Sequence, residues 1–173
     1  MRFNILLYLF FILIINSCQS PKANAFRSTV VEKERIAFNI ITSKNGTESQ
    51  KLEYLVADDY KNALKAVDQQ KKEFDQIILS LDSLETKDIK DASLLKNATV
   101  NYYTALRDLH YFDRKEILQR ELIYNNHSND KKSQQDELLN LYKQKKAYFN
   151  RVYKEESLLS DALQKFDISN GLR

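Results

Sequence analysis

In 173 residues glycine occurs twice, proline once and cysteine once, tryptophan is absent, and there are two histidines. Turns and strand-rich folds consume glycine and proline, so their scarcity favours long helices joined by few loops. A single cysteine excludes an internal disulfide. With Gly46 and Gly171 as the only glycines, no Gly-rich phosphate loop exists. His110 and His127 stand 17 residues apart, and neither has a His or Glu partner at a spacing that builds a zinc site. Charge of one sign is lacking too. The 27 basic and 24 acidic residues leave a formal +3, which gives no general reason to expect nucleic acid as a partner. The length suits one domain rather than two of ordinary size.

What is present begins with a leader. Met1-Arg2-Phe3-Asn4 is a minimal positive start, followed by eleven apolar or aromatic residues from Ile5 to Ile15. As a helix that run would reach only about 16 Å, roughly half the hydrocarbon core, so it fits a cleavable signal better than a permanent span. Ile15-Asn16-Ser17-Cys18 follows directly and resembles a lipobox, with Ile15 and Ser17 matching and Asn16 departing from the usual small residue. The resemblance implies a diacylglycerol on the Cys18 sulfur, cleavage between Ser17 and Cys18, and acylation of the new amino group. Two or three acyl chains hold a protein firmly at a membrane, whereas one does not. Residues 18–28, with the sole proline and no acidic group, are expected to form an extended tether.

Beyond the tether, residues 29–173 are expected to form one all-α domain, an elongated antiparallel bundle of three long helices plus a short N-terminal helix. The first long helix is capped by Thr47 or Ser49 and carries Leu52, Leu55, Val67, Phe74, Ile78 and Leu84. The second runs from about Asp88 through Leu95, Leu109 and Ile123 into a polar stretch at 125–130. The third starts near Ser133, passes Leu141, Val152 and Phe166, and ends near Gly171. Each would measure about 50–55 Å at about 1.5 Å per residue, and short connections make neighbours antiparallel. Residues 29–48 read either as a hairpin turning at Asn45-Gly46 or as a short helix. The helix is favoured because no other strand is available to pair with.

No catalytic constellation emerges. Ser80, Ser83, Ser157 and Ser160 lack a nucleophile-elbow context, and the doublets Asp58-Asp59 and Glu155-Glu156 point about 100° apart on a helix. His110 and Asp113 can share a helix face, which reads as an exposed contact rather than a dyad. No enzyme activity, cofactor or metal is therefore expected. Two surfaces are candidates for binding. Lys143, Lys146, Arg151 and Lys154 project around one arc of the third helix, beside Tyr142, Phe149 and Tyr153, and suit sulfated glycans, anionic headgroups or acidic proteins. Tyr102 falls on the apolar stripe of the second helix, with Tyr103 and Tyr111 at its edge, where an aromatic patch can face a ligand.

The short leader, the lipobox with Asn16 in its relaxed middle, a body rich in Lys, Asn, Ile and Tyr, and the near-absence of glycine resemble the small helical lipoproteins of borrelial spirochaetes. That resemblance implies a lipid anchor in the outer membrane, exposure at the cell surface, and a role in persistence within an arthropod vector or contact with a host. The alternative is a periplasm-facing structural or assembly lipoprotein of the cell envelope.

Overall fold

The computed structural model of the chain describes residues 20–125 and 131–172. The leader with Ser17 and Cys18, and residues 126–130 with His127, lie outside them. Five helices make up most of what is described: α1 (Pro21–Thr42), α2 (Thr47–Val56), α3 (Tyr60–Asp82), α4 (Ala92–Asn125) and α5 (Lys131–Ser169). No strand occurs among the described residues, so the hairpin reading of 29–48 falls away. No described helix is long and apolar enough to cross a membrane.

Two elements differ from expectation. The segment from 21 to 28 is helical, not an extended tether. Pro21 occupies the first turn, where its missing N–H costs nothing, and the Ser20 hydroxyl accepts from Ala23 N at 3.3 Å. Ala23 and Phe26 then give this turn an apolar face, which is buried. The expected first long helix is split into α2 and α3 at 57–59. Asp58 takes a left-handed φ of 54°, and the Asp59 carboxylate caps α3 by accepting from Asn62 N at 3.1 Å. The apolar period continues across the break, which is why periodicity did not reveal it. Gly46, in the α1–α2 connection, tolerates no side chain: a Cβ there would stand 2.5 Å from the Ile40 carbonyl oxygen.

Side-chain pairings set the directions. Lys96 Nζ on the Asp82 carbonyl, Arg107–Asp75 and Arg114–Asp68 run α4 against α3, while Asp91 just before α4 pairs with Lys165, and Asp108–Arg151 and Glu116–Lys145 run α4 against α5. Rising numbers in α4 meet falling numbers in both neighbours, so α4 is antiparallel to each. With 39 residues α5 extends about 58 Å.

The interior is layered. A large apolar cluster holds Phe26, Phe74, Leu81, Leu95, Leu109 and Phe166; a smaller one holds Ala63, Val67 and Ile117. Between them, Gln70 on α3 and Asp113 and Glu116 on α4 make a buried polar layer. Tyr103, expected at the edge of the α4 stripe, is interior, and Tyr102 is the half-buried neighbour. Tyr142, Phe149 and Tyr153 are exposed instead of holding the inner side of α5, which is formed by Leu141, Val152, Ala162 and Phe166. Several apolar arcs on α5 satisfy helical spacing, and only contact with α4 chooses between them.

Candidate functional site

The structure separates the residues that the sequence grouped. Lys143, Lys146 and Lys154 project into solvent from α5 and make no ion pair with any described residue. Arg151 leaves that group: its Nη1 donates to Asp108 Oδ2 on α4 at 2.8 Å. There it meets Tyr111, and both line a hollow of about 460 Å³ with Phe112, Arg114, Lys115 and Tyr148. Tyr103 is buried on another face of α4 and has no part in this site.

The hollow is built from aromatic walls and fixed cations. The Phe112 and Tyr148 rings pack with centroids 4.8 Å apart across the α4–α5 seam. Lys115 Nζ stands 5.3 Å from the Phe112 centroid, and Lys71 of α3 lies 5.7 Å from that of Tyr111, which is 38% exposed. Arg114 is held by its Nε on Asp68 at 3.1 Å. Both arginines therefore keep unengaged N–H groups beyond the single acid that positions them. Lys115 has no carboxylate partner among the described residues. An anionic group with an apolar or aromatic body fits this chemistry. Lys115 lies three residues after Phe112, so its place beside that ring was readable from helical spacing. The joining of Arg114 and Arg151 was not.

Deeper in, a charge knot ties four helices together. Lys51 of α2 is 2% exposed and its ammonium bonds Glu48 Oε1 at 2.7 Å and Asp113 Oδ2. Lys145 of α5 bonds Asp113 Oδ1 and, at 3.1 Å, Glu116 Oε2. His110 Nδ1 is 3.1 Å from Glu48 Oε2, which also accepts from Gln70 Nε2 of α3 at 3.0 Å. His110 and Asp113 thus serve as interior cross-helix partners, not as an exposed contact along one helix. Glu48, His110 and Asp113 offer three ligand atoms within 4.8 Å of one another. The Lys51 ammonium already bridges the two carboxylates, so the cation of this cluster is the lysine itself. Lys145 could have been suspected from its spacing, three before Tyr148 and four after Leu141 on the inward arc. Glu48 and Lys51 come from 62 residues away and carried no such signal.

Burial pushes the Glu48 carboxyl up, but hydrogen bonds from His110, Lys51 and Gln70 and the Lys51 charge outweigh it and hold the group far below its ordinary 4.5. Burial likewise works against the charged form of Lys145, and Asp113 and Glu116 overcome it, raising its pKa. A depressed carboxyl contributes stability that is fully present above its unfolded value and is lost as pH falls toward the folded one. The wild-type protein should therefore lose stability progressively below about pH 5. A Glu48→Gln variant should be weaker at neutral pH and show a flatter decline in acid. Urea midpoints across that range check this, and parallel curves for the two proteins would show that Glu48 is not linked to acid stability.

Compared with known proteins, the chain matches no family model, no curated protein and no solved structure.

Proposed function

We propose that this chain is a lipid-anchored, non-catalytic binding protein of a bacterial outer membrane, exposed at the cell surface and contacting an anionic host or vector component. The reading of the anchor rests on the Ile15-Asn16-Ser17-Cys18 lipobox. The reading of the partner rests on one observation, the α4–α5 hollow in which Tyr111 stands among Arg114, Lys115 and Arg151, with Lys115 unpaired. Sulfated glycans combine dense negative charge with sugar faces that pack on aromatic rings, and they suit this surface better than a rigid apolar ligand. The three further lysines on α5, Lys143, Lys146 and Lys154, extend the positive field that would guide such a chain toward the hollow.

Heparin serves as the probe. The Lys115→Ala/Arg151→Ala double variant should bind it about tenfold more weakly than wild type, with a reduced salt dependence. A triple Lys143/Lys146/Lys154→Ala variant should slow association more than it speeds release. Equal heparin affinity in wild type and the double variant would remove the hollow from the function. In cells, protease should cleave the protein from outside, and Cys18→Ala should move it out of the detergent phase. Protection on intact cells, with cleavage after outer-membrane disruption, would favour the periplasm-facing role instead.

A further inference from the structure

A second site lies on a different face of the bundle from the hollow. Between α1 and α5, above α4, runs a groove of about 330 Å³. Its floor is Tyr102, Tyr103 and Leu106 of α4, and its walls carry Val30 and Phe38 of α1 and Leu163 of α5. The space is at the small end of what small-molecule sites occupy. Arg27, which lines it, donates Nε to Asp167 at 3.2 Å, and the neighbouring Phe26 and Phe166 rings meet with centroids 5.4 Å apart.

Two observations say what the groove is built to hold. Tyr103 is only 3% exposed, lines the groove, and its hydroxyl has no hydrogen-bond partner among the described residues. The hydroxyl oxygen is not among the enclosed unpartnered atoms of the described residues, so it opens to the solvent of the groove and can be reached from there. The second observation is charge. Glu34 on α1 and Glu156 on α5 stand at opposite lips, both exposed and neither in an ion pair with a described residue. The one cation in the lining, Arg27, pairs with Asp167 through Nε alone, and its Nη1 is buried without a hydrogen-bond partner, so the two glutamates outnumber the guanidinium at this groove. Both glutamates act on the floor: burial and then their charges raise the Tyr102 pKa, and burial and then Glu34 raise that of Tyr103. Both phenols therefore stay protonated at neutral pH.

We propose that this groove binds a small organic cation, a primary amine carried on an apolar or aromatic body. The apolar body lies on the Tyr102–Tyr103 pair, whose rings meet edge to face with centroids 5.1 Å apart, and against Val30, Leu106 and Leu163. The ammonium sits between Glu34 and Glu156, and the Tyr103 hydroxyl accepts one of its hydrogens. An acyl chain with an anionic head is disfavoured by the same two carboxylates. Binding adds the cation that the lips lack and replaces solvent at the Tyr103 hydroxyl.

Calorimetric titration with three probes of one shape tests this: 4-phenylbutylamine, 4-phenylbutanol and 4-phenylbutyrate. The amine should bind saturably and about tenfold tighter than the alcohol, with the carboxylate weakest. Glu34→Gln/Glu156→Gln changes only exposed side chains and should erase the amine's advantage while leaving the alcohol unchanged. Tyr103→Phe, with its helical circular dichroism intact, should weaken the amine several-fold. The proposal is overturned if the amine binds no tighter than the alcohol, if no probe saturates by about 10 mM, or if the glutamine variant keeps the preference. It is equally overturned if the chain dimerises through this groove and dimerisation displaces the amine.

Discussion

Asp113→Ala is expected to lower the unfolding free energy by about 3–5 kcal/mol, the usual cost of removing one member of a buried ion pair. Asp113 is the hub of the polar layer, since one oxygen serves Lys51 of α2 and the other Lys145 of α5. Its loss leaves Lys51 with Glu48 alone and Lys145 with Glu116 alone, both largely out of water. Three carboxylates face two ammonium groups there, and the buried acceptors without a hydrogen-bond partner, Gln70 Oε1 and Glu116 Oε1, must shift toward the freed ammonium hydrogens before they can replace any of what Asp113 supplied. Asp113→Asn keeps the shape and removes the charge. It should cost nearly as much if charge is what matters. Urea denaturation of the two variants measures this, and a loss below about 1 kcal/mol for Asp113→Ala would mean that water screens the knot as it screens a surface pair.

The other large effect concerns the join between the ends of the chain. Phe166→Ala should cost about 3–5 kcal/mol, because the ring is fully buried and the helices around it can only partly close the cavity. Its position makes the loss uneven. Phe166 packs on Phe26, so truncation also frees the first turns of α1, which α5 otherwise holds through this contact and the Arg27–Asp167 pair. Amide hydrogen exchange should show α1 losing protection before α3 and α4 do. Uniform loss across all helices would mean that α1 does not open separately and that the contact is ordinary core.

The same two features show why some of this molecule was legible in sequence and some was not. Helical class followed from scarce glycine and proline together with apolar residues at three- and four-residue steps, since these act within a single helix. The structure ends α3 at Asp82, two residues short of the Leu84 that the apolar pattern assigned to it. The split at Asp58 was hidden because a left-handed aspartate needs no glycine and the apolar period resumes in phase beyond it. Phe26 sat in a stretch whose proline and small residues suggested a tether. Pro21 instead starts a helix there, and a distant phenylalanine rewards it for doing so.

The candidate sites divide along the same line. Tyr111 and Arg151 were picked out from separate helices for separate reasons, and the antiparallel packing of α4 on α5 brought them into one hollow. Tyr103 was set beside Tyr111 on the strength of spacing, yet one lines the α1–α5 groove and the other the α4–α5 hollow. Local interactions span three or four residues, so composition and periodicity by themselves determined that the described chain is helical and roughly where its helices end. Which arc of each helix is turned inward depends on what the neighbouring helix offers. Only the tertiary structure could therefore decide that Lys51, Asp113 and Lys145 meet in the interior, that Tyr103 is buried, and that Tyr142, Phe149 and Tyr153 are left facing water.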